Sequence, residues 1–168
     1  GQSSPIHSYR WMLDQDVSRI RFILFDGGGD GRGQNPHAVG DELPHGDWHQ
    51  VTATVDGQTM RLYVAGELVA TQAAIALDNS ATPIFWGKWP GFERFCDLYL
   101  DDIALYNRPL SALEVRELQM TGPNVNDPSL VGYWANDRSN AGALTDAKGN
   151  GHATLQRGAT LVDQCPPH

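Results

Sequence analysis

The sequence predicts an all-β sandwich that carries one short helix. Three observations predict it. Short runs alternate between apolar and polar residues along most of the chain. Turn dipeptides separate those runs at hairpin spacing. Only one stretch, near residues 112–120, carries both the start and the stop signals of a helix.

The elements follow in chain order. "VSRIRFILF" (Val17 to Phe25) alternates and is rich in β-branched and aromatic residues. A glycine-rich loop, "DGGGDGRGQNPH", comes next; it lacks the GK[ST] ending of a phosphate loop and no helix follows it. In "HQVTATVDGQTMRLYVAGELVAT", Val51, Ala53 and Val55 alternate with Thr52 and Thr54. Asp56-Gly57 supplies a turn, Met60, Leu62 and Val64 alternate again, and Ala65-Gly66 turns into a third strand. "TPIFWGKW" reads as a short strand and "CDLYLDDIALYN" as a longer one. Ser111 and Glu114 form the pattern of a capping box, with Leu110 and Val115 as its staple. Gly122 and Pro123 stop that helix. Residues 123–130 read as a linker.

Composition bounds the function. The chain has 168 residues, enough for one domain with a sizeable core. Its net charge of -8 repels phosphate backbones, so nucleic acid is not an expected partner. No apolar run is long enough to span a bilayer. Gly1 stands where a Met would open a full reading frame, so a processed product or a piece of a longer protein is expected. Cys96 and Cys165 form no CxxC. They are a disulfide if the compartment oxidises, or two free thiols; their spacing leaves both open.

Two long stretches carry a family resemblance. "DWHQVTATVDGQTMRLYVAGELVAT" resembles the middle of the laminin-G-like, concanavalin-A-like jelly-roll modules, and "YLDDIALYNRPLSALEVREL" resembles their closing signature. The resemblance covers roughly Tyr9 to Met120, within residues 1–122. One departure is Ala65, where the family has Asp. Another is that the family's first strands are missing before Gly1. "GYWANDRSNAGALTDAKGNGHATL", in the 131–168 segment, resembles them instead. Such a segment either completes this sandwich, completes that of a neighbouring subunit, or opens a further repeat.

The resemblance implies a non-catalytic binding module for carbohydrate or protein, in a secreted, cell-surface or periplasmic protein. It also implies a structural calcium near Asp102, with Asp137 as a partner ligand. Asp101 and Asp102 are read as mid-strand, one facing inward and one outward. Trp89 and Tyr99 are the candidate stacking platforms for a sugar, while Trp48 and Trp86 read as core. His37, His45 and His49 fit no zinc-ligand spacing. Asp146 and Asn150 read as turn residues that hold their own backbone. Two other functions stay open. One is a subunit that assembles oligomers or filaments by donating its C-terminal strands. The other is a glycosidase or lyase, although the chain has no Glu-x-Asp-x-x-Glu strand and no Gly-x-Ser-x-Gly elbow.

Overall fold

The computed structural model describes residues 7–14, 19–26, 37–44, 46–75, 84, 86, 99–135, 139–140, 143–155 and 159–160. Its elements are β1 His7–Asp14, β2 Arg19–Asp26, β3 His37–Glu42, β4 Val51–Val55, β5 Thr59–Val64, β6 Glu67–Ala73, β7 Ile103–Tyr106, α1 Ala112–Thr121, β8 Leu130–Trp134, β9 Ser139–Asn140, β10 Ala143–Leu144 and β11 Ala153–Thr154. Among the described residues every strand pairing is antiparallel. The described residues are mostly strand with one short helix, the make-up of a concanavalin-A-like β-sandwich. The chain divides into two compact units, Gly1–Ser80 with Arg108–Gly122, and Ala81–Asn107 with Pro123–His168.

The first unit holds two three-stranded sheets, β1-β2-β3 and β4-β5-β6. Period-2 alternation places Ile20 and Phe22 of β2, Ala38 of β3, and Met60 and Leu62 of β5 in one buried cluster. Val51, Ala53, Val55 and Val64 pack against it. The predicted β4-β5-β6 meander is present with the expected turns. Gly57 sits at φ +89° in the first turn, and Asp56 accepts from the amides of Gln58 and Thr59 there. The second turn places both Ala65 (φ 48°) and Gly66 (φ 75°) in the left-handed region, as a two-residue type I′ hairpin requires.

Two strands of this unit were not expected. β1 precedes the predicted one, which itself runs Arg19–Asp26 rather than from Val17. β3 is polar and contains Gly40, a residue that weakens a strand read alone. Its reason lies in packing. A Cβ on Gly40 would stand 3.1 Å from Ile20, 3.2 Å from Val69 and 3.4 Å from Leu62.

The helix forms as its capping box predicts. Ser111 Oγ accepts the Glu114 amide at 3.3 Å, and the Glu114 carboxylate accepts the Ser111 amide at 2.7 Å. Arg108 adds an ion pair to Glu114 at 2.6 Å. Val115 is fully buried, Leu110 is nearly so, and Arg116 pairs with Glu67 at the start of β6.

The second unit holds the two-stranded β7-β8 sheet and the short β9-β10-β11 sheet. β8 comes from the segment that resembles the family's first strands, and its partner β7 lies in the same chain. The register pairs Ile103 with Trp134, Ala104 with Tyr133 and Leu105 with Gly132. The 123–130 stretch, read as a linker, is tied by its own side chains. Asn124 Oδ1 accepts the Asn126 amide, and Asp127 Oδ1 accepts both the amide and the hydroxyl of Ser129. Lys148 Nζ then donates to the Val125 carbonyl at 2.8 Å and to that of Asp127 at 3.3 Å.

Candidate functional site

The site lies in the second unit, on residues 99–102 ahead of β7, with Tyr133 of β8 beside them. The long strand predicted for Cys96 to Asn107 is, among the described residues, strand only at Ile103–Tyr106. Asp101 and Asp102 therefore precede the strand and do not alternate within it. Asp102 has φ +48°, a left-handed conformation that strands exclude. A non-glycine residue there costs roughly 1 kcal/mol, so something must hold it. The Asp102 amide donates to Asp101 Oδ1 at 2.8 Å, and the Tyr133 phenol donates to Asp102 Oδ1 at 2.6 Å. Tyr99 is 60% exposed and Leu100 44%. Tyr99, which is exposed, thus precedes by three residues an Asp102 whose carboxylate a neighbouring strand holds.

Tyr133 is itself fixed by the turn after β10. Its amide donates to Asp146 Oδ1 at 2.8 Å, and its carbonyl accepts the Ala147 amide at 2.8 Å. The Asp146 carboxylate also accepts the amides of Lys148 (2.9 Å), Asn150 (2.9 Å) and Gly151 (3.0 Å). Burial alone would raise the Asp146 pKa; the amides of Tyr133, Lys148, Gly151 and Asn150 outweigh it, and the net shift is downward. Asp146 thus holds its own turn, as its sequence context suggests, and reaches strand β8 as well. Asn150 Nδ2 donates to the Val131 carbonyl at 2.9 Å. Trp134 Nε1 donates to the Gly151 carbonyl at 3.1 Å, and the Trp134 ring meets Trp86 edge-on at 4.9 Å.

Of the residues singled out by sequence as ligands, Tyr99 and Asp102 are the two among the described residues, three positions apart in the chain. Trp89, Asp137, Cys96 and Cys165 lie outside the described residues, so neither the second stacking platform, the second calcium ligand nor the disulfide is located. Trp86 is half-buried against Trp134, which fits a packing role. Trp48, expected in the core, is 38% exposed. His49 Nε2 donates to the Pro44 carbonyl at 2.9 Å, which gives it a structural partner. Among the described residues no group of three His, Cys, Asp or Glu side chains could hold a metal. Calcium takes six to eight oxygens, and of the two expected ligands Asp102 alone is among the described residues. Tyr133 is the site residue that sequence reasoning missed. Its signal was present as the centre of the Gly-Tyr-Trp motif, but its partner lies 31 residues away.

Two solved structures are similar. A candidate carbohydrate binding protein from Bacteroides ovatus is 18% identical with a TM-score of 0.57, over 95% of this chain and 53% of that one. An S-layer domain-containing protein from Clostridium thermocellum is 21% identical with a TM-score of 0.43, over 71% of this chain and 65% of that one. This chain therefore spans about half of the first protein and just under two thirds of the second. The first likeness shows a shared fold. A search of curated proteins found no match. The profile of the laminin G 3 family matches residues 2–116. With two strand signatures, the meander and the capped helix all in their places, the chain belongs to that family, within the concanavalin A-like lectin/glucanases superfamily.

Proposed function

We propose that the chain is a non-catalytic carbohydrate-binding module of an extracellular or cell-surface protein, with its ligand surface at Tyr99, Asp101 and Asp102. The observation that carries this reading is an exposed Tyr99 within three residues of Asp101 and Asp102, the second of which Tyr133 holds in place. An aromatic face packs on the C–H face of a pyranose, and a fixed carboxylate accepts its hydroxyls. The superfamily supports it, as does the neighbouring fold from a candidate carbohydrate binding protein. Location at or outside the cell surface is part of the same proposal. Among the described residues no helix is long and apolar enough to cross a membrane.

Catalysis fits the site less well. Glycosidases flank the scissile bond with two carboxyl groups about 5–9.5 Å apart. Asp101 and Asp102 are consecutive, and Asp102 is engaged by a phenol. The pairing of β8 with β7 in one chain also supports reading the C-terminal segment as completing its own fold.

A glycan array tests the reading. The expected result is binding to a defined sugar class that Tyr99→Ala weakens about tenfold, the worth of one stacked ring. An array without hits, or a Tyr99→Ala variant that binds unchanged, would overturn it.

A further inference from the structure

We infer that Tyr133 is a positioning residue, which sets the Asp102 carboxylate for ligand from the adjacent strand. The inference rests on the carbohydrate-binding reading above. The β7-β8 register carries it. Tyr133 lies opposite Ala104, so the register brings it to the end of β7 that Asp102 precedes by one residue. From there the phenol reaches Asp102 Oδ1 with a 2.6 Å bond.

Each end of this contact is independently constrained. Asp102 is kept at φ +48°, where its side chain leaves the direction that strand alternation would impose. Tyr133 is fixed through both its amide and its carbonyl by the Asp146 turn. The backbone from which the hydroxyl extends is therefore anchored, and the bond to it holds the Asp102 carboxylate. One Asp102 oxygen accepts the Tyr133 hydroxyl, and the residue stays exposed to solvent, where a sugar hydroxyl can reach its carboxylate. A fixed acceptor spares the ligand the entropy of ordering that side chain.

Titration calorimetry with glucose, mannose, xylose and galactose hexasaccharides tests this, on the full chain and on four variants. These are Tyr133→Phe, Asp102→Asn, their double variant, and Asn150→Ala. The phenylalanine keeps the ring and removes only the hydroxyl. The expected loss for Tyr133→Phe is on the order of tenfold in affinity, as for a hydrogen bond to a charged group. The double variant is expected to lose no more than Asp102→Asn alone, because the two residues act as one. Asn150→Ala removes the side-chain bond to the Val131 carbonyl and leaves both the Asp146–Tyr133 and the Tyr133–Asp102 bonds in place. It is expected to melt earlier and bind normally below its melting temperature. Additive losses, an unchanged Tyr133→Phe, or an Asn150→Ala that binds as weakly as Tyr133→Phe would each sink the positioning role while leaving carbohydrate binding intact. If the unsubstituted chain bound none of the four sugars, both the carbohydrate reading and the positioning role would fall.

Discussion

The Asp146 carboxylate accepts the backbone amide of Tyr133 at 2.8 Å, across thirteen residues of chain. The same carboxylate closes its own turn through Lys148, Asn150 and Gly151, so one buried side chain ties a turn to a strand. Asp146→Ala would leave those amides without their acceptor. The expected cost is about 2–4 kcal/mol, because four part-buried amides lose one charged acceptor at once. Urea unfolding measures it. A loss below about 0.5 kcal/mol, the scale of an ordinary surface substitution, would show that water satisfies the turn equally well.

Gly132 allows the Trp134 ring to fold back across it. A Cβ at position 132 would stand 2.6 Å from Trp134 Cη2 and 2.9 Å from Cζ3. That ring is held on its other sides by the Gly151 carbonyl and by Trp86, so it cannot shift freely. Gly132→Ala is expected to destabilise by about 1–3 kcal/mol through overpacking. Tryptophan fluorescence would report the displaced ring alongside the lower melting temperature. A variant with native fluorescence and native stability contradicts the contact.

Ala65 occupies the first central position of a type I′ turn at φ 48°, where a Cβ is penalised. Asn tolerates that conformation better. Ala65→Asn is expected to stabilise the chain by roughly 0.5–1 kcal/mol. Gly66, the second central residue, cannot be exchanged in the same way. A Cβ there would meet Gln119 Oε1 at 2.6 Å and Arg116 Cα at 3.4 Å. Gly66→Asn is expected to destabilise, and the opposite signs of the two substitutions form the check.

Among the described residues, three carboxylates titrate below their ordinary range. Arg61 and the amides of Gln58 and Thr59 lower Asp56 from 3.8 to about 2. Arg108 and the Ser111 amide and hydroxyl lower Glu114 from 4.5 to about 2. Asp146 is lowered by its four amides against the opposing effect of burial. A depressed folded-state pKa contributes stability that is present above the unfolded value and lost as pH falls through the folded one. The melting temperature is therefore expected to fall between about pH 4.5 and pH 2. Asp56 and Glu114 are exposed, so salt is expected to reduce their share and leave that of Asp146. A melting temperature that stays flat down to pH 2 would contradict all three assignments.

The legible parts of this fold are those with local causes. The Ser111–Glu114 box and the Asp56-Gly57 turn involve residues within a few positions of one another, and both stand where the sequence puts them. β3 was illegible because Gly40 has its reason in Ile20, Val69 and Leu62, on three other strands. Asp101 and Asp102 were misplaced because alternation assumes extended backbone, and Asp102 is not extended. The site was half-legible for the same reason. Tyr99 and Asp102 are marked by residue type, whereas the Tyr133 that holds Asp102 is identified only by strand register.

The C-terminal segment offers the broadest prediction. Its strand β8 is paired to β7 in the same chain, and Lys148 pins the connecting stretch through the Val125 and Asp127 carbonyls. Strand exchange with a second copy would require that stretch to open and the ammonium to leave both carbonyls. The full chain is therefore expected to be a monomer by light scattering. A version ending at Pro123 removes the partner of β7 and the ring that meets Trp86. It exposes a strand edge and apolar surface, and is expected to aggregate or unfold. Replacing Lys148 with Met should weaken the pin without removing the strand, and raise the dimer fraction at high concentration. A full chain that forms oligomers, which truncation then abolishes, would reverse the reading and make donated strands the basis of an assembly.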